Sequence, residues 1–280
     1  MRTVARAIVF SLSLAMVAFA AGVLWVNGSL PGPVPGDAPP YSLSPLAEVL
    51  GACIDARGQV DLTELKKHHA ALETFVRSLA KTSPDSTPEL FPTVEARLAY
   101  WLNAYHALVL LELLDTRATR TSHTAELFDG VTIGGKHTGR WAITRNFLDV
   151  TGDARVFLAV ATGAKGRGVL DGAPFDTDSI NLQLDDAVRR FVRRTDHVSV
   201  DGKRVKVSSL FRDHREDFLA ALPEERKNVL QIVWAYLPET CESGQEGCAT
   251  RADLDRACGT KFDGCQVEFV EPDETLAVKN

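Results

Sequence analysis

Residues Val94–Leu114 read VEARLAYWLNAYHALVLLELL. Apolar side chains recur too densely here for a surface helix, which carries its apolar stripe on one face only, so the segment predicts a helix buried on nearly every side. Thr93 stands where an N-cap is wanted, and Glu95 places a negative charge in the first turn, against the positive end of the helix dipole. Asn103 and His106 lie three residues apart and therefore share a face. On a buried rod each needs a hydrogen-bond partner, since an unmatched polar group costs about 1–3 kcal/mol. The pair could act as a catalytic base with its orienting residue. The preferred reading is that both side chains satisfy backbone groups of neighbouring segments, because no Ser-His-Asp set can be assembled around His106.

Upstream, Leu46, Val49, Leu50 and Cys53 have helical spacing. A turn follows, and Asp61 or Thr63 can start a helix running through Leu65, Leu72, Phe75 and Leu79. Ser83 to Pro92 reads as loop. Downstream, Val131 to Ile143 predicts two short strands around Gly134 and Gly135, and Arg155 to Thr162 suits a buried strand or a buried helix equally. Asn181 to Val192 is an amphipathic helix. His197 to Val207 alternates apolar and polar residues on both sides of Asp201-Gly202, the two-residue turn that a hairpin wants. Leu210 to Leu222 and Pro223 to Leu237 complete the helices. The expected fold class is α+β: a predominantly helical single domain over residues 46–270 with a small antiparallel sheet, a Cys-rich part at 241–265 and a tail at 271–280.

The chain begins with an uncharged run, Ala7 to Val26, behind Arg2 and Arg6. Residues 1–27 therefore read as an N-terminal membrane helix or a signal peptide. An uncleaved anchor is preferred, because the apolar run continues past Ala18-Phe19-Ala20 to roughly the 20 residues that span a bilayer. The membrane would then be contacted through residues 7–26, with everything after them on the extracytoplasmic side. Residues 28–45 hold six of the thirteen prolines, which predicts an extended linker. Cys241, Cys248, Cys258 and Cys265 form two equally spaced pairs, the arithmetic of disulfides in a periplasmic or secreted protein; neither spacing is that of a zinc site, and no metal or other cofactor is expected. Local pairing is the simplest of three connectivities, all of which the spacing leaves open. Cys53 reads as a buried thiol. A net charge of -6 argues against a nucleic-acid partner. The one basic cluster, Arg189, Arg190, Arg193 and Arg194, follows Asp185 and Asp186 at helical spacing and reads as a solvated face with local ion pairs.

Several of these stretches resemble the DUF547 family, whose domains have no agreed activity. CysIleAspAlaArgGlyGlnValAspLeuThrGluLeu from Cys53 is similar to the family's opening, and TyrTrpLeuAsnAlaTyrHisAlaLeuVal from Tyr100 to its Phe-Trp-Ile-Asn-x-Tyr-Asn-Ala-Leu helix. IleGlyGly, AspAlaArgValPheLeuAlaVal and ValSerSerLeuPhe follow in family order. The resemblance also implies a reactive segment, Asp-Pro-Arg-x-His-Phe-Ala-Leu-Asn-Cys-Gly-Ala-x-x-Cys-Pro, which aligns with Asp153 onward. Its chemistry is missing: Phe157 stands for the His, Ala161 for the Asn, and Thr162 and Arg167 for the two Cys. Thr144 and Arg145 stand, in a looser alignment, for a Glu-His pair. The resemblance thus implies a degraded site, and the expected function is an envelope module that binds a ligand or a partner protein. The alternative is a hydrolase or transferase using His106. GlyAlaLysGlyArgGly, Gly163 to Gly168, adds a candidate anion loop in which glycine-freed amides, Lys165 and Arg167 would act together.

Overall fold

The computed structural model describes residues 31–114, 130–220, 222–224, 228–241 and 246–279. The apolar run at 7–26, the first residues of the linker and His123 lie outside them. Among the described residues no helix is long and apolar enough to cross a membrane. The fold is mixed α/β, about 47% helical with small sheets.

Helix α1 (Ser44–Cys53) has Pro45 in its first turn and buries Leu46, Val49, Leu50 and Cys53. Strand β1 (Val60–Asp61) leads into α2 (Leu62–Lys67), capped by the Asp61 carboxylate, which accepts from the Thr63 and Glu64 amides. The single helix expected from Asp61 to Leu79 is two helices. His68 leaves helical geometry (φ -96°, ψ 14°) with its Nδ1 3.0 Å from the Glu64 carbonyl, and α3 (His69–Leu79) restarts beyond it. Helix α4 (Val94–Leu113) is capped by Thr93, whose Oγ1 accepts from the Ala96 amide at 3.1 Å, and fifteen of its twenty residues are buried. Strands β2 (Val131–Ile133) and β3 (Lys136–Thr138) form the glycine hairpin, whose tip docks on α3 through Gly134 N–H to the Leu79 carbonyl.

Two apolar clusters organise the rest. The first gathers α1–α4; the second lies under the C-terminal half. After α5 (Arg140–Ile143), the short α6 (Val156–Ala159) sits on their boundary: Val156 and Ala159 belong to the first cluster and Leu158 to the second. Helix α7 (Ile180–Val192) also joins them, giving Ile180, Leu184 and Ala187 to the first cluster and Val188, Phe191 and Val192 to the second.

Strands β4 (Val198–Asp201) and β5 (Arg204–Ser208) are the expected antiparallel hairpin, but Asp201 pairs with Arg204, so the turn is Gly202-Lys203, one residue later than the sequence suggests. The 210–222 helix breaks at His214 into α8 (Leu210–Asp213) and α9 (Arg215–Ala220); α10 (Val229–Tyr236) and α11 (Arg251–Cys258) follow. The sheet is not purely antiparallel. Strand β6 (Gln266–Val270) pairs parallel to β5, with Arg204 opposite Gln266 and Ser208 opposite Val270, because helices α8–α11 supply the long crossover that parallel strands require. Disulfides Cys241–Cys248 and Cys258–Cys265 join each local pair. Such bonds persist in oxidising compartments, consistent with an extracytoplasmic domain.

Neither end of the domain is as expected. The linker is extended but lies along the protein from Pro31 onward: Asp37 pairs with Arg77 at 2.6 Å, and the Tyr41 ring packs 5.5 Å from those of Phe91 and Tyr100. The residues read as a tail are structural too, since β7 (Val278–Lys279) pairs parallel to β1.

Candidate functional site

The polar pair on α4 bonds to backbone on both sides. Asn103 Nδ2 donates to the Phe175 carbonyl at 2.8 Å, and its Oδ1 accepts from the Phe175 amide at 2.8 Å. His106 Nε2 accepts from the Ala161 amide at 3.1 Å. That bond fixes the tautomer, with the proton of the neutral ring on Nδ1. Burial lowers the His106 pKa to about 4, so the ring is neutral at pH 7. With its Nε2 lone pair occupied and only 4% of the residue exposed, His106 is placed to hold backbone, not to take a proton from a substrate. The two residues staple the two ends of one excursion of chain, Ala161 to Phe175.

Within that excursion the Gly163–Gly168 loop is latched by the former tail. The Lys165 amide donates to the Thr275 carbonyl at 2.9 Å, the Gly166 amide to Asp273 at 2.8 Å, and Ala277 donates to the Gly163 carbonyl at 2.8 Å. A Cβ at Gly166 would stand 2.1 Å from the Asp273 nitrogen, and Gly163 holds φ +85°. The glycines therefore admit a neighbouring backbone and do not free amides for an anion. Nor do the loop's cations act together. Arg167 lines one cavity, where its Nε and Nη2 donate to Glu274 Oε1 at 3.0 and 2.7 Å, while Lys165 lines another. The single anion loop of Gly163, Lys165 and Arg167 is overturned.

The cavity on the Arg167 side has a volume of about 220 Å³. Four of its walls come from Thr144, Phe157, Thr162 and Arg167, positions that the resemblance singles out and that the fold brings together from α5's end, α6 and the loop. Ala161 does not line it; its side chain is buried in the first core while its amide is held by His106. Arg145 pairs instead with Asp149 at 3.4 Å.

The remaining polar lining escaped the sequence reading: Tyr105, Asp149, His214 and Glu274. His214 stacks on Phe157, ring centroids 3.7 Å apart and planes 14° apart, with Nδ1 3.7 Å from Asp217 Oδ2. Burial lowers its pKa despite the carboxylates of Asp217, Asp149 and Asp213 around it. Thr162 Oγ1 is buried without a hydrogen-bond partner, and Thr144 Oγ1 donates to the Arg140 carbonyl at 3.1 Å. No thiol lines this cavity. Cys53 is buried in the first core, and burial raises its pKa to about 11, so it is no thiolate at neutral pH. The arrangement offers a neutral imidazole, hydroxyls and a neutralised guanidinium, which suit holding a small polar molecule better than attacking one. Among the described residues no group of three His, Cys, Asp or Glu side chains is placed to hold a metal ion. No protein-family model, no curated protein and no solved structure matches the chain.

Proposed function

We propose that this chain is an envelope-located, ligand-binding module on a DUF547-like scaffold whose reactive positions have been replaced. One observation carries the reading: Thr144, Phe157, Thr162 and Arg167, named by resemblance alone, line one cavity, and all of them but Thr162 are engaged with internal partners. Phe157 is covered by His214, and Arg167 is neutralised by Glu274. The cavity keeps its walls and a buried hydroxyl still lacking a partner, and it offers no activated nucleophile.

The test is a thermal-shift screen of the full chain against small polar molecules, repeated on Thr162→Val and His214→Gln. Removing the orphan hydroxyl should leave the fold intact and stabilise it by about 1 kcal/mol, yet abolish the shift given by any ligand of this cavity. Shifts that survive both substitutions would remove the cavity from the reading. Turnover of an ester or amide substrate that disappears in His214→Gln would replace the module with an enzyme.

A further inference from the structure

The second cavity, about 700 Å³, lies where the opposite side of the same loop meets the turn after α1 and the end of α7. Five cationic residues line it, Arg57, Lys165, Arg190, Arg193 and Arg194, against two carboxylates, Asp55 and Asp171. That excess stands out on a chain whose net charge is -6.

Each carboxylate already has partners. Asp55 Oδ1 accepts from the Arg57 and Gln59 amides, both at 2.9 Å, and its other oxygen lies 3.8 Å from Lys279 Nζ. Asp171 pairs with Arg190 Nη1 at 2.8 Å. Arg194 is engaged by Asp196 at 2.5 Å. The Lys165 ammonium and the Arg57 guanidinium have no ion-pair partner among the described residues, and Arg190 Nε is buried without a hydrogen-bond acceptor. The basic cluster is thus only partly a face of local ion pairs: Arg189 matches that reading through Asp186 at 2.7 Å, whereas Arg190 reaches across to the 169–172 strip and helps to wall the cavity.

We propose that this cavity binds a small polyanion through its phosphoryl or carboxylate oxygens, with Lys165 and Arg57 as the principal contacts and Ile54, Val169 and Leu170 giving an apolar wall to the rest of the molecule. A guanidinium and an ammonium lining one concave site suit such oxyanions, the guanidinium through its planar fork and the ammonium as a point charge. The volume falls within the range of pockets that enclose an organic ligand and not merely an inorganic ion. The site uses none of the residues of the smaller cavity and stands without the reading given to that one.

Calorimetric titration of the full chain with inorganic pyrophosphate and, separately, with citrate tests this. The expected result is saturable binding of at least one probe that weakens as salt rises and falls about tenfold or more in the Arg57→Ala/Lys165→Ala double variant. Both residues lack ion-pair partners, so the double variant should melt like the parent, and Lys66→Ala, outside the cavity, should bind normally. Which probe binds tells phosphoryl from carboxylate recognition. Binding of neither probe, or equal affinity in the double variant, overturns the proposal.

Discussion

The two cavities share one stretch of chain as a wall and differ in how their charges are answered. In the smaller, Arg167 is matched by Glu274 and Asp149 by Arg145, so what faces the space is hydroxyl, imidazole and phenyl. In the larger, the carboxylates are taken up by backbone amides and by Lys279 and Arg190, while Lys165 and Arg57 line the space without a close ion pair, Arg57 acting on Asp55 only through its charge at longer range. Two residues of one glycine-rich loop, Lys165 and Arg167, separated only by Gly166, thus serve opposite ends. What a loop cation can bind is decided by its nearest carboxylate and not by the loop's sequence pattern.

The comparison depends on the excursion staying pinned at both ends, and breaking a pin should have the largest effect. Asn103→Leu preserves volume but strands both the amide and the carbonyl of Phe175 in the core. Two buried unsatisfied groups should destabilise the fold by about 4 kcal/mol, measured by denaturant unfolding. The large cavity should suffer first, because the 169–172 strip that lines it leads directly into Phe175. A loss under 1 kcal/mol would mean that neighbouring contacts, not Asn103, position the strip.

Acid should separate the two pins. Asn103 does not titrate, whereas His106 is neutral in the folded chain with its pKa lowered from 6.5 to about 4 by burial. The unfolded chain binds the proton more readily, so this histidine costs nothing above pH 6.5; stability is lost as pH falls below 6.5, until about pH 4. A depression of this size corresponds to about 3 kcal/mol. Protonation would also turn Nε2 into a donor facing the Ala161 amide, releasing the small-cavity edge. His197, stacked on Phe191 in the second core and likewise lowered to about 4 mainly by burial, adds a similar slope over the same range. His106→Gln retains an acceptor for Ala161 and should remove a clear part of the acid-induced loss in unfolding free energy between pH 7 and 4.5, leaving the share of His197 and of the less strongly lowered His214 and His137. An unchanged slope would show that His106 takes up its proton as readily in the folded chain as in the unfolded one, so that burial does not depress its pKa.

Much of this framework was legible in the sequence, for reasons that single residues show. The burial of α4 followed from its apolar density, and its cap from Thr93. The Cys pairing took its simplest form, and the hairpin around residues 202–203 was missed by one position only. What the sequence hid was long-range. Nothing local marks Glu274 as the partner of Arg167, more than a hundred residues earlier, or shows that Asp273 to Ala277 would occupy the amides of a loop resembling an anion cradle. His214 carried no spacing signal, because it meets Phe157 through packing across the boundary of two cores. The parallel addition of β6 to β5 was equally out of reach, since strand order depends on where the intervening helices place the chain and not on alternation within either strand.

The smallest effect is the sharpest test of the electrostatic difference. Glu274→Gln keeps the length of the side chain and an oxygen for Arg167, and removes only the charge. The pair is about a quarter exposed on each side, 24% and 23%, so solvent already screens it and the loss in stability should be about 1 kcal/mol. The gain is in what the cavity can hold. With Asp149 still engaged by Arg145, the Arg167 guanidinium becomes the unanswered charge of the small cavity, as Lys165 and Arg57 are of the large one. In an Arg57→Ala/Lys165→Ala background, where the large cavity has lost its principal contacts, Glu274→Gln should create weak, salt-sensitive binding of inorganic phosphate detectable by calorimetry or by chemical-shift perturbation at Thr162. Phosphate that remains unbound would mean that the Phe157–His214 stack, by excluding the ion sterically, and not Glu274, by neutralising Arg167, sets the character of that cavity.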